Sequence, residues 1–395
     1  MTTSSIGLLS AIGTAIAAML LSVGSACAQE YKIGYITDLS GPLAGSYTPT
    51  WEGFDLYVKA LNDRGGINGR KVKVSLDDDG LRADRAVAAA KKQVERDDVL
   101  GIFGLSLSST HGPVIAEMRK ANVPVVTSFS AVLDALPPAK SHYYSTGVLF
   151  EVAGEAIGTL SQRIVPKGKV VGVTFDSVGG RAALRHNKLM AEKNGHAWDE
   201  VIFPLRTADF TPFAQTIAAK KPDLVVGHYG AEQNLGVVAA LRAAGYTGPY
   251  IVAAYGASEA TVKQAAEQAG SGDNLYIVTR YAPLSDNAPG LAPLKAAAEK
   301  YKLANPTSMH VTGWMLGAFT AEALGKCGAS CTRETLDKTI QTLKVDTQGL
   351  TGGPIEMAPE DHYGPTYWRL YKWEANKLVA VGDWHREKAL TFPTQ

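Results

Sequence analysis

What most limits the fold of this chain is a repeated order: a short apolar run, a polar or glycine-bearing loop, then a helical pattern. "YKIGYI" (31–36) leads into "TDLSGPLAGSY", "VLGIFG" (99–104) into "LSLSSTHG", and "VPVVTSF" (123–129) into "SAVLDALPP". The order restarts at "KVVGVTF" (169–175), followed by "DSVGGRAALRHNKLMAEKNG", and continues with "PDLVVGHYG" before "AEQNLGVVAALRAAGY". "GPYIVAAYG" before "EATVKQAAEQAG" repeats it again. Strands alternating with helices imply an α/β fold with parallel sheets covered on both faces. Two such units fill 31–148 and 149–280, and 395 residues are enough for two cores. The rest, 281–395, is too helical and too short for a third unit. Its amphipathic "PGLAPLKAAAEKYKLA" and "MHVTGWMLGAFTAEALGK" must pack on something already built.

Within the first unit, Trp51, Phe54, Val58 and Leu61 fall on one face of a helix that Gly65-Gly66 stops. That stripe reads as core, not as a ligand platform. "KVKVSL" alternates with the period of a strand that has one wet face.

Residues 6–23 are apolar and uncharged, and Ala26-Cys27-Ala28 follows with the small-x-small pattern of a signal-peptide cleavage site. The expectation is a signal peptide over 1–28, cleavage before Gln29, and a periplasmic mature protein. The run is also long enough for a membrane anchor, and "MTTSSIG" lacks the usual basic residues. A lipoprotein would use Cys27, but Gly24 stands where a lipid-attachment box usually has Leu. After cleavage only Cys327 and Cys331 remain. In an exported chain such a pair reads as a disulfide closing a small loop. Half of a zinc site is the other reading, and no second Cys pair or His cluster completes one.

A net charge of +1, from 39 basic and 38 acidic residues, gives no footprint for nucleic acid. The sequence has no phosphate loop, dinucleotide fingerprint, H-E-x-x-H or G-x-S-x-G, and its scattered histidines lack metal-ligand spacing. No cofactor and no metal are expected, and a binding protein is favoured over an exported enzyme with dispersed catalytic residues. In "GLSLSSTHGP" (104–113), Ser108, Ser109 and Thr110 stand between a buried strand and a helix start, where hydroxyls and free N–H groups suit an anion. The plainer reading is that one hydroxyl caps the helix. Loops at 128–131 and 228–230 also follow strands, and open sheets bind ligands at their carboxyl edges.

With "IGYITDLSGPLAG", "WEGFDLYVKALNDRGGINGRKVKV" and "DDDGLRADRAVAAAKKQV", the mature chain resembles the periplasmic branched-chain amino-acid (Leu/Ile/Val) binding proteins. These are type I solute-binding proteins of ABC importers. "VPVVTSFSA" and "DFTPFAQTIAAKKPDLVV" follow in the expected order. The resemblance implies two Rossmann-like lobes joined by a three-crossover hinge, with residues 29–148 and 281–365 in lobe 1 and 149–280 and 366–395 in lobe 2. It also implies a ligand in the cleft, an inner-membrane permease as partner, a monomer, and no catalysis.

By the same resemblance, Ser108, flanked by Leu107 and Ser109, matches a carboxylate-binding serine. Ser130 and Ala131 fall on a second anion loop, with Val132 where a threonine is common. Ser46 or Tyr47 takes a first-loop aromatic position, and Tyr229 an aromatic that covers the ligand. Two positions where amino-acid binders place acids for the ammonium hold Leu149 and Tyr255. The anion end of the site is kept and the cation end dropped, since an unpaired buried ammonium is costly. The expected ligand is therefore a small carboxylate without an amino group. Phe129, Phe150, Tyr229 and Tyr255 suit an aromatic acid. A Leu/Ile/Val or amide ligand requires Asp176, Glu151 or Glu259 to supply the missing charge.

Overall fold

The computed structural model describes residues 30–228, 231–253, 259–364, 367–387 and 389–394. The expected signal peptide, Tyr229 and Tyr255 lie outside the described residues.

The first sheet holds β1 (Tyr31–Thr37), β2 (Val72–Asp78), β3 (Ile102–Phe103), β4 (Val125–Thr127) and β5 (Tyr143–Ser145). All are parallel, in the order β2-β1-β3-β4-β5. Helices α1 (Ala44–Asp63), α2 (Ala83–Glu95) and α3 (Ser108–Lys120) link the first four strands. After α4 (Phe150–Ser161) the scheme repeats with β6 (Lys169–Phe175), β7 (Ala197–Phe203), β8 (Leu224–Gly227), β9 (Tyr250–Val252) and β10 (Leu275–Thr279). Their order, β7-β6-β8-β9-β10, mirrors that of the first sheet. Helices α5 (Val178–Lys193), α6 (Thr211–Ala219), α7 (Ala231–Ala243) and α8 (Glu259–Gln268) join them.

Three more helices, α9 (Leu291–Lys300), α10 (Ser308–Cys327) and α11 (Arg333–Ile340), then return to the first sheet, followed by the short pair β11 (Lys344–Val345) and β12 (Ile355–Glu356). Their apolar faces join Tyr31, Ile33, Phe54 and Phe103 in one core with Val311, Phe319, Leu336 and Ile355. The α1–α10 contact is made by glycine. A Cβ on Gly313 would lie 1.8 Å from the Thr50 carbonyl oxygen, and one on Gly53 2.1 Å from that of His310. The two backbones touch, so neither position admits a side chain.

The second sheet is mixed rather than wholly parallel. β13 (Tyr367–Glu374) runs antiparallel to β10, β14 (Lys377–Ala380) antiparallel to β13, and β15 (His385–Arg386) pairs with β13. A parallel neighbour needs a long crossover, whereas β13 and β14 are joined by Ala375 and Asn376 alone, at φ 47° and 63°. Two consecutive left-handed residues make the primed turn that matches strand twist.

Cys327 and Cys331 form a disulfide just after α10, with Cα atoms 5.2 Å apart. The loop they close holds the start of the chain. Tyr31 Oη donates to the Gly328 carbonyl (3.0 Å) and Arg70 Nη1 to that of Ala329 (2.5 Å). Among the described residues no helix is long and apolar enough to cross a membrane.

Candidate functional site

The chain passes between the sheets after β5, after β10 and before β13. It leaves both sheets from strand carboxyl ends, so the carboxyl edges meet at this hinge. Ser145 pairs with Tyr363, and Ser130 with Val148, which knits the passages to the loop after β4. Ligands of open α/β sheets lie at such edges.

On the first lobe, the loop after β3 ends at α3. Its N-cap is Leu107 (φ −72°, ψ 150°), which has no side-chain oxygen to offer. Thr110 turns back to the Leu107 carbonyl with both its N–H (2.8 Å) and its Oγ1 (3.0 Å). The half-buried Ser108 and exposed Ser109 make no hydrogen bond through N–H or hydroxyl among the described residues. Neither serine caps the helix, so two hydroxyls and two helix-end N–H groups are left facing outward. Such a set of donors suits a carboxylate.

Behind this loop runs a buried polar relay. Val132 N–H donates to the Tyr143 hydroxyl (3.1 Å), Tyr143 O–H to His111 Nδ1 (3.3 Å), and His111 Nε2–H to the Ser106 carbonyl (3.1 Å). Ser106 O–H reaches both Asp79 oxygens (2.8 and 2.7 Å). An amide can only donate and a carbonyl only accept, which fixes the direction and the neutral Nε2–H tautomer of His111. Burial pushes the His111 imidazole down to about 4, and burial raises the Asp79 carboxyl, whose bond from Ser106 opposes the rise. Asp38, Asp78 and Asp79 offer oxygens within 4.8 Å of one another. Those oxygens accept from Gly41 and Leu43, from Leu39, Ser40 and Gly80, and from Leu81 and Ser106 respectively. They scaffold the first two loops rather than forming an open metal site.

The structure brings Tyr47 and Phe129 together, with ring centroids 4.4 Å apart. Tyr47 is buried and its hydroxyl has no hydrogen-bond partner among the described residues. Burial and then the charges of Asp79 and Asp38 hold that phenol well above its usual range. Ser46 bonds only locally, its N–H to Leu43 and its carbonyl from Thr50 (2.9 and 3.0 Å). Ser130 is buried, with Oγ turned to the Ser106 carbonyl (3.2 Å), and Ala131 N–H is held by Val148 (2.7 Å). Both shape the loop, and these particular donors are already engaged.

Across the hinge, Leu149 is buried as N-cap of α4, and its N–H donates to the Tyr363 hydroxyl (3.2 Å). Phe150 packs over Gly179, where a Cβ would lie 2.6 Å from its ring. Of the three acids able to replace a lost ammonium partner, Asp176 pairs with Arg181 (2.7 Å), and Glu259 accepts from Ser285 N–H (3.1 Å) and its hydroxyl. Glu151, half-buried in the first turn of α4, makes no hydrogen bond or ion pair among the described residues.

Sequence reasoning passed over Asp79, Ser106, His111 and Tyr143. The "DDDG" and "STHG" segments were in view, but nothing in their spacing joins residues 79, 106, 111 and 143.

The chain matches the family model described as "Periplasmic binding protein" over residues 30–377. The "Leu/Ile/Val-binding protein homolog 7" of Brucella suis is 24% identical over 332 residues, 80% of this chain and 82% of that protein. Among solved structures, a fatty acid ABC transporter substrate-binding protein from Thermomonospora curvata is similar with TM-score 0.76 and 22% identity, over 91% of this chain and 92% of that one. A solute-binding protein from R. palustris in complex with benzoate gives 0.74 and 18%, over 93% and 100%. At these identities the structural likenesses speak for the fold alone.

Proposed function

Because the chain belongs to the periplasmic binding protein family, we propose that it is the solute-capturing subunit of an ABC importer, taking a small carboxylate without an amino group, with an aromatic acid as the favoured class. On this reading residues 1–28 are a cleaved signal peptide and the mature monomer works in the periplasm, delivering its ligand to an inner-membrane permease without chemical change. Lobe 1 comprises 29–148 with 281–365, and lobe 2 comprises 149–280 with 366–395.

The observation that carries the ligand class is the unused donor set of Ser108 and Ser109 on one lobe, set against buried Leu149 on the other. The first matches a carboxylate, and the second offers an ammonium nothing. The benzoate complex of the R. palustris protein supports the aromatic class, and the Brucella suis name supports amino acids.

One observation favours that second reading: Glu151 is half-buried and unpaired. If it reaches the cleft, it supplies the counter-charge. Calorimetry with phenylpropionate and phenylalanine, alike except for the amino group, separates the two. The deaminated acid is expected to bind at least about tenfold tighter, roughly 1.4 kcal/mol. Tighter binding of phenylalanine, lost again in Glu151→Gln, would replace the first reading with the second.

A further inference from the structure

From the hinge itself we infer a binding site for one halide-sized anion, held by Arg280. Among the described residues Arg280 is the one buried Arg or Lys, 6% exposed. It follows β10 on the second passage between the lobes. Its Nη1 donates to the Thr146 carbonyl on the first passage (2.7 Å), and its guanidinium lies 5.0 Å from the Tyr281 ring centroid. No carboxylate pairs with it among the described residues. Glu151, which acts on the phenol of Tyr363 alongside Arg280, forms no ion pair with it.

A buried lysine or carboxyl can shed its charge by titrating, but a guanidinium cannot. Its desolvation must be offset by neighbours, and five N–H donors need acceptors. One carbonyl and one ring face supply only part of that. The guanidinium opens on a cavity of about 230 Å³ walled by Tyr281, Thr351, Pro354, Ile355, Gly364 and Tyr367. Most of that volume is the gaps between atoms, and what remains holds a single water-sized particle. The cavity is too small for an amino acid or an aromatic acid, so the transported solute is not its occupant. A halide satisfies both the charge and the size.

The walls come from the second and third passages and from the 351–355 loop of the first lobe. An ion there touches parts that shift when the lobes move, so occupancy links to lobe closure. The site is independent of the solute reading, and its test uses protein without solute.

Melting of the wild-type chain is compared in chloride and in gluconate at equal ionic strength, gluconate being too large for the cavity. Chloride is expected to raise the midpoint saturably by about 3 °C, and Arg280→Met is expected to melt alike in both salts. Should Arg280→Met not fold, crystals of the wild-type chain soaked in bromide are expected to show an anomalous peak beside the guanidinium. Coincident wild-type melting in the two salts, or bromide crystals with no peak at Arg280, would overturn the inference, whatever solute the cleft takes.

Discussion

The loop that opens α3 on the first lobe and the passage that opens α4 on the second both feed a helix from a strand end, yet they finish those helices differently. At α3 the hydroxyls of Ser108 and Ser109 face outward, and a buried relay from Val132 to Asp79 fixes the loop behind them. At α4 the cap position holds Leu149, buried and apolar, where Asp, Asn or Ser would stabilise a helix by about 1 kcal/mol. One lobe offers donors without acceptors, while the other forgoes even an ordinary cap. The difference teaches that the ligand's charge is decided by one lobe, with the second contributing shape.

The largest blow to this comparison would be to remove the first lobe's support. Gly313→Val drives a side chain into the Thr50 carbonyl, so α10 must lift from α1. A loss of at least about 5 kcal/mol is expected, the size reserved for core disruption. Hydrogen exchange should show protection lost in β1–β5 while β6–β10 keep theirs. Equal loss in both sheets would mean that the lobes fold as one unit.

Acid should strain both lobes. His111 in the first lobe is pushed down to about 4 by burial, and His228 in the second to about 3, while an unfolded histidine titrates near 6.5. The unfolded chain therefore binds protons first, so stability is complete above pH 6.5 and falls as the pH drops towards 4 and then 3. For His111 the gap of about 2.5 pH units amounts to about 3 kcal/mol. Urea unfolding at pH 7.5 and 4.5 should show a smaller acid loss in His111→Gln than in wild type. An unchanged loss would free His111 of this role.

On the ligand side, Ser108→Ala is expected to weaken carboxylate binding by about 1.5–3 kcal/mol, the worth of a charge-assisted hydrogen bond. The more exposed Ser109→Ala should cost less. Calorimetry that finds both variants equal to wild type would end the case for α3 as the anion end. The smallest effect is expected from Leu149→Asp. It should add about 1 kcal/mol of stability as a cap and narrow the preference for phenylpropionate over phenylalanine. A preference left untouched would place the ligand away from α4.

Much of this was legible in advance, for reasons that differ along the chain. The parallel strands show because apolar runs followed by loop residues are local patterns, as in "KVVGVTF" and "DSVGG". Ser108 was legible because its loop follows a strand and opens a helix. The relay was not, since Asp79, Ser106, His111 and Tyr143 meet only after α2, α3 and β5 are in place. The engagement of the Ser130 hydroxyl and the Ala131 N–H is likewise a through-space fact. The antiparallel direction of β13 and β14 rests on Ala375, whose φ of 47° its sequence context does not announce. Arg280 looked like any other cation until its burial was known.

The bond from Tyr31 to Gly328 joins residues 297 apart. At about 5–20 residues per second, synthesis leaves the first strand waiting roughly 15–60 s for its partner. The first lobe's core is delayed in the same way, because Tyr31, Ile33 and Phe54 are closed over by residues from 311 to 357. β6 to β10, by contrast, all lie between 169 and 279 and need no such wait. Long-range closure of this kind folds slowly. For a chain that must thread a narrow channel before it folds, the delay is useful. The segment that enters first is the one whose folding partners are made near the end, so the order of its contacts keeps the leading end of the precursor loose until most of the chain has been made.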